Sequence, residues 1–259
     1  MTKNLSQLYV LAAFIAIAGC SQPKETKTET PPAATVEEAA NTLTEAEKAE
    51  GWRLLFNGTS VDGWHRYGGD AVGKKWQIQD GTLFFEGKVE GEDETAAAEG
   101  GDILTNDEFE NYELSLEWKI SPGGNSGIIY NVIESDQYEY PWQTGPEMQV
   151  LDNDAHKDAS IEKHRAGDLY DLIACSEITV KPANQWNEIR LVVNQGNVQH
   201  WMNGTKVVET QMWTPEWDEL VAGSKFKDMP GFGTGRKGRI ALQDHTDPVW
   251  YRNIKIREL

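Results

Sequence analysis

From Gly51 to the last residue, apolar and polar side chains alternate in short runs cut by Gly, Asn, Asp and Pro. A period of two places successive side chains on opposite faces, so each run is predicted as a strand with one face in a core. "WQIQDGTLFFEG" predicts two strands joined at Asp80-Gly81, a strong hairpin signal. "WNEIRLVVNQGNVQHWMNGTKVVETQM" predicts consecutive strands that turn at Gln195-Gly196 and Asn203-Gly204. "YELSLEWKI", "SGIIYNVIE", "EMQVLD", "GDLYDLIA" and "EITVKP" read the same way, and "GRIALQDHTDPVWYRNIKIREL" closes the chain with two more. One helix is predicted, in "TPEWDELVAGSKF", with Thr214 as N-cap and Pro215 in its first turn. "EGKVEGEDETAAAEGGD", Glu86 to Asp102, has no period and is predicted as a long acidic surface loop. Short strands, little helix and no internal repeat predict an all-β sandwich of two antiparallel sheets rather than a propeller.

The first fifty residues follow another pattern. Leu8 to Ala18 is an apolar run after a short polar start with Lys3, and it ends in Ile17-Ala18-Gly19-Cys20. The run is too short to span a bilayer stably and reads as a secretory signal. The small residues before Cys20 resemble a bacterial lipobox, which implies a signal peptide over 1–19 and a lipid-modified Cys20. Residues 20–50 have almost no large apolar side chain and are predicted as a flexible tether, with Thr44 able to cap a short helix from Glu45 to Glu50. The domain is then 51–259, held at the cell envelope and facing the periplasm or the outer membrane. Cys175 is left without a partner cysteine, so no disulfide framework exists and packing is its expected role.

With 42 acidic and 24 basic side chains the net charge is -18. That balance opposes nucleic-acid binding, which depends on neutralising phosphates, and favours a neutral or cationic ligand. No glycine-rich loop between a strand and a helix points to a nucleotide.

Polar chemistry concentrates in "GPEMQVLDNDAH", Gly145 to His156. On a pleated strand Glu147 and Gln149 share one face, and a bulge near Val150-Leu151 would bring Asp152 round to join them. A strip of two carboxyls and an amide offers a sugar both hydrogen-bonding and acid/base groups; on a solvent-facing edge the same residues would merely meet water. In "IALQDHTD", Gln243 and His245 alternate onto one face, and imidazole is the side chain that titrates near neutrality. His200, in "VQHWMNG", lies on a strand whose inward face the pattern leaves open. Tyr170 and Asp171 point in opposite directions, so one of them is expected at a site. Asn125, in "GGNSG", begins a strand where glycines allow close backbone approach.

"EMQVLD" resembles the E-x-D-x-x-E bulged strand of laminarinase- and lichenase-type glycoside hydrolases, with Gln149 and Asp152 departing from it. More widely, "LFNGTSVDGWH", "WQIQDGTL", "GDILTNDEFENYELSLEWKI", "GGNSGIIYNV", "GPEMQVLDN", "GDLYDL", "KPANQWNEIRLVV", "VQHWMNGTKVVE" and "IALQDHTDPVWYRNIKIREL" resemble, in order, the bacterial 3-keto-disaccharide hydrolase domain family. The resemblance implies a concanavalin A-like jelly roll with a carbohydrate on its concave sheet, and a substrate oxidised to a ketone at C3. Such a ketone acidifies the C2 proton, so cleavage by elimination needs a base, an acid and a group to hold the enolate.

Glu147, Asp152 and His245 are accordingly the expected acid/base set. Gln149, Gln243, His200, Tyr170 and Asn125 are expected to bind substrate, and Trp142, in the loop "YEYPWQTGPE", to cover a pyranose face. Glu147, Asp152, His200 and His245 are also ligand types that suit a divalent ion, although no tight spacing marks a metal site. Two other readings stay open: direct hydrolysis by two carboxylates, and a lipoprotein that binds sugar without cleaving it.

Overall fold

The computed structural model describes residues 39–93, 95 and 99–259; the predicted signal segment, Cys20 and residues 21–38 of the predicted tether lie outside the described residues. The first strands are β1 (Arg53–Leu54), β2 (Trp64–Arg66), β3 (Trp76–Gln79), β4 (Thr82–Phe85), β5 (Ile103–Thr105) and β6 (Tyr112–Ile120). They are followed by β7 (Asn125–Val132), β8 (Glu147–Leu151), β9 (Asn187–Asn194), β10 (Asn197–Met202), β11 (Thr205–Gln211), β12 (Arg239–Leu242) and β13 (Val249–Glu258). The α-helices used below are α1 (Glu45–Ala49) and α2 (Pro215–Ala222).

The strands form a jelly-roll sandwich of two antiparallel sheets. One runs β11-β10-β9-β6-β13-β4-β3 with β1 paired to β13, and the other runs β2-β5-β12-β7-β8. Alternation along β6 sends Tyr112, Leu114, Leu116, Trp118 and Ile120 into the core, where Ile128 and Tyr130 of β7 and Met148 and Val150 of β8 meet them. Fully burying each large apolar side chain of this kind contributes roughly 1.5–3 kcal/mol. All three anticipated hairpins turn at residues with positive φ: Asp80-Gly81, Gln195-Gly196 and Asn203-Gly204. This is the geometry that lets a two-residue loop follow the twist of its strands. Thr214 caps α2 as expected, its hydroxyl accepting from Trp217 N–H at 3.3 Å.

Three expectations change. Residues 39–50, placed at the end of a tether, fold onto the domain. Asn41 and Asn253 exchange backbone-to-side-chain bonds of 2.6 and 2.9 Å, and Lys255 pairs with Glu47 of α1, whose capping box on Thr44 is complete. "GDLYDLIA" and "EITVKP" are not strands. The first lies irregularly along the edge of β8, held by Gly167 N–H to Gln149 O (2.8 Å) and Tyr170 N–H to Glu147 O (3.0 Å), with Asp171 at φ 61° breaking the extended course. The acidic loop after β4 is partly tucked in, because Glu92 pairs at 2.6 Å with the buried ammonium of Lys75.

The outward face of the five-stranded sheet prepares a floor. Leu104, Ile129, Val132 and Ala241 cluster there beneath Tyr67 and Trp142, apart from the main core. β8 pairs with β7 in unbroken register from Asn125↔Leu151 to Ile129↔Glu147. The irregularity lies instead between β7 and β12, where Asn131, at φ 54°, turns its side chain into the core to accept from Tyr112 Oη at 3.0 Å.

Candidate active site

On that outward face a cavity of about 250 Å³ is walled by β7, β8, the end of β12 and three loops. Ordinary strand alternation aims Glu147 and Gln149 into it from β8. The matching position on β7 is Gly127, whose missing side chain makes room: a Cβ there would stand 2.1 Å from Glu147 Oε1. Asn125 accepts from Gln149 Nε2 at 2.8 Å, which orients the amide and leaves Gln149 Oε1 buried without a hydrogen-bond partner among the described residues. Gln243 reaches the cavity because its backbone is pinned, its N–H donating to Gly127 O (3.0 Å) and its carbonyl accepting from Ser126 Oγ (2.7 Å). Its Oε1 is likewise buried and unpartnered.

Loops supply the rest of the wall. The turn Pro141–Gln143 presents Trp142, stacked at 5.2 Å and 9° on Tyr140. His245 follows Gln243 at the rim. Tyr170 comes from the segment along β8, and its ring packs on His164 with centroids 4.4 Å apart. Lys225 and Phe226 come from the return after α2, where Asp171 accepts the Lys225 backbone N–H at 2.7 Å. The Lys225 ammonium lies 4.1 Å from the Tyr170 ring centroid, a cation–π contact.

The electrostatics follow from burial. Glu147 is 5% exposed, and among the described residues no hydrogen bond reaches its carboxyl. Desolvation pushes it up to about 8 against the opposing pull of Lys225. Burial pushes the Lys225 ammonium down while Glu147 holds it up. Burial, with the Glu147 charge adding to it, raises the Tyr170 phenol. A raised carboxyl facing a desolvated cation across a small chamber is a pair able to take up and stabilise charge during proton transfer.

The chamber opens into a second one of about 630 Å³, the two sharing Trp142, Gln243 and His245. Asp102 lies in its wall. Burial, with the neighbouring Asp244 carboxylate adding to it, pushes Asp102 up to about 7, although Asp102 Oδ1 accepts from Asp244 N–H at 2.8 Å.

The sequence-predicted residues therefore divide. Glu147, Gln149, Gln243, His245, Tyr170, Trp142 and Asn125 come together around one cavity. Asp152 does not. With no bulge in β8 it continues past the strand end, where its carboxylate accepts from Gly123 N–H (2.7 Å) and Asp154 N–H (3.1 Å) and fastens the neighbouring turn. His200 faces the inter-sheet core, fully buried. Its Nδ1–H donates to Gly167 O at 3.0 Å, its Nε2 accepts from Tyr130 Oη at 3.2 Å, and burial drives it down to about 4. Both are corrected from site residues to structural ones. The anticipated metal-ligand set is divided for the same reason, and no three His, Cys, Asp or Glu side chains converge on a metal position among the described residues. Cys175 is partly buried against Ala166 and Gly167, as packing predicts. Lys225 was missed: the predicted helix ran through it, whereas α2 stops at Gly223, the residue that signals a helix end.

The chain resembles known proteins over most of its length. A curated relative from Bacteroides thetaiotaomicron, named 3-keto-disaccharide hydrolase, is 38% identical over 232 residues, covering 82% of this chain and 79% of its own. A Parabacteroides distasonis crystal structure, described as a candidate glycosyl hydrolase, superposes with a TM-score of 0.76 at 32% identity, covering 85% of this chain and 100% of that one. A second structure from that organism, described likewise, gives 0.59 at 26%, covering 80% and 99%. The model of the 3-keto-alpha-glucoside-1,2-lyase-like domain matches residues 51–257, and the chain belongs to that family.

Proposed function

We propose that the domain cleaves 3-keto-glycosides by elimination followed by hydration, releasing a 3-keto sugar, and that it works at the cell envelope, held through Cys20. The observation that carries the chemistry is the buried, unpartnered carboxyl of Glu147 facing a one-ring chamber with Lys225 beside it. At about 250 Å³ the chamber is below the size of drug-sized pockets and suits a single pyranose.

Glu147 in its ionised form takes the C2 proton, which the C3 ketone acidifies. The electron pair moves onto the C3 oxygen, where the Lys225 ammonium offsets the new charge. The pair then returns as C3=O reforms, C1=C2 forms, and the C1–O bond breaks; His245, at the rim, gives the departing oxygen its proton. Water next adds across C1=C2. Its oxygen joins C1, its proton passes to His245, and Glu147 returns its own proton to C2. Gln149 and Asn125 hold ring hydroxyls. Among the described residues Glu147 is the one carboxyl lining the chamber, so direct displacement by two carboxylates lacks its second group there.

The test is incubation with a disaccharide and with its 3-keto derivative, products followed by mass spectrometry. Release of a 3-keto sugar from the oxidised substrate alone is expected, and Glu147→Gln should lower it at least ~100-fold with folding intact. Equal cleavage of the unoxidised disaccharide, or binding of either without release, would overturn the proposal. Cys20→Ala should move the protein from the membrane to the soluble fraction; an unchanged distribution would remove the lipid anchor.

A further inference from the structure

Beside the chamber a second set of polar contacts takes no part in the steps just described. Asp171 accepts from the imidazole of His164 on Oδ1 at 3.0 Å and from the Lys225 backbone N–H on Oδ2 at 2.7 Å. Both partners lead back to the chamber. The His164 ring packs on Tyr170, and Lys225 sets its ammonium 4.1 Å from the centroid of that same ring. Tyr170 and Lys225 line the chamber with Glu147, whereas His164 and Asp171 are outside its lining.

The cluster strains the backbone. Asp171, at φ 61°, and Lys163, at φ 77°, are both in the left-handed region, and Asp171 N–H donates to Lys163 O at 2.8 Å. Residues other than glycine stay there where their surroundings over-determine them, commonly beside a functional site. His164 Nδ1 is buried without a hydrogen-bond partner among the described residues, so the imidazole carries its proton on Nε2 and aims it at Asp171.

Holding the fold together does not account for the arrangement. The segment that carries Asp171 is fastened to β8 by the N–H groups of Gly167 and Tyr170. The return after α2 is fastened by Phe226, whose ring stacks on Phe232 at 3.9 Å and 7°. What Asp171 adds is a link between the two, across 54 residues of sequence, at a residue that lines the chamber. Burial pushes the Lys225 ammonium down; Glu147, then Asp171, then Asp158 of the turn Lys157–Ser160 hold it up. Asp171 therefore acts on Lys225 twice, through its backbone and through its charge.

We propose that Asp171 and His164 are positioning residues for the proton transfer: Asp171, gripped by His164, holds the Lys225 ammonium on the Tyr170 ring, in the chamber with Glu147. The inference rests on the cleavage reading above and adds how its cation is kept in place.

The test measures kcat/KM against pH on a 3-keto-disaccharide for wild type, Asp171→Asn, His164→Phe and Lys225→Met, and for each of the first two variants combined with Lys225→Met. Asp171→Asn keeps the shape and loses the charge; His164→Phe keeps a ring on Tyr170 and loses the N–H. Asp171→Asn should lower kcat/KM about tenfold or more, and His164→Phe about threefold or more. Both should move the rising limb to higher pH, as Lys225→Met does; a lost carboxylate acting directly on Glu147 would move it the other way. On the Lys225→Met background neither should cost more than about twofold, because groups that act through one another are not additive. Thermal unfolding checks each variant, and His164→Phe decides if Asp171→Asn does not fold. Losses that multiply in the double variants, or an unmoved limb in the folded single variants, would overturn the positioning role. Acetylation of Lys225 by acetic anhydride across pH, read on its peptide by mass spectrometry, tests the same link without turnover, since part of Lys225 is open to solvent. Its midpoint should fall by about half a unit in Asp171→Asn; an unmoved midpoint would overturn the proposal. If wild type releases no 3-keto sugar, the cleavage reading fails, and this midpoint still decides whether Asp171 holds Lys225.

Discussion

Replacing Gly127 by alanine isolates the placement of one carboxyl. A Cβ on Gly127 would lie 2.1 Å from Glu147 Oε1, 2.7 Å from its Cδ and 3.0 Å from its Cγ. Ordinary contact begins near 3.4 Å, so the carboxyl must retreat by more than 1 Å. Gly127 does not have positive φ, so alanine adopts its backbone without strain. The stability cost is small. Overpacking costs about 1–3 kcal/mol and falls at the low end where the displaced atoms end a side chain. Reduced freedom of the unfolded chain offsets about 0.4–1 kcal/mol of it. The net is about 1 kcal/mol, a fall in Tm of about 2–4 °C for a domain of this size. Activity should suffer far more, because a misplacement of about 1 Å at a reacting group costs on the order of 100-fold. Steady-state kcat/KM on a 3-keto-disaccharide, beside a melting curve, reads both. Turnover within threefold of wild type in a folded Gly127→Ala protein would refute the claim that Glu147 acts from its observed position.

Three further outcomes follow from charge. Glu147 works as a base only when ionised, and it is pushed up to about 8, so kcat/KM should climb with pH toward that value. Lys225 pulls Glu147 down, so Lys225→Met should move the rising limb to higher pH; an unmoved limb would separate the two groups. His200 is held neutral, its pKa lowered from 6.5 to about 4, so its contribution to stability is complete above 6.5 and is lost as pH falls toward 4. The full loss is about 3 kcal/mol. In denaturant titrations at pH 7 and pH 4, His200→Gln should flatten the difference by about that amount; an equal difference would place the acid sensitivity elsewhere.

How much of this was legible in the sequence depended on what a period of two can say. Alternation tells which side chains share a face, and it correctly grouped Glu147 with Gln149 and Gln243 with His245. It does not tell which face meets the other sheet. His200 was left open for that reason, and it belongs to the core side of β10 with Val198 and Met202. Asp152 was misplaced because its inclusion required a bulge in β8, whereas the irregular position is at Asn131 of β7, with no glycine or proline to mark it. The turns were legible because Asp-Gly, Gln-Gly and Asn-Gly pairs tolerate positive φ at both positions. Lys225 and Asp102 were not, since each reaches the cleft from a connection distant in sequence from β8. Contacts of that kind are set by the packing of sheets and carry no local pattern.

The account depends most on removal of the C2 proton before the glycosidic bond breaks. A 3-keto-glycoside carrying deuterium at C2 tests that step directly, with kcat/KM compared against the protiated substrate. The account predicts a severalfold slower reaction with the deuterated compound. Equal rates in the two, with the C1–O bond still cleaved, would contradict it.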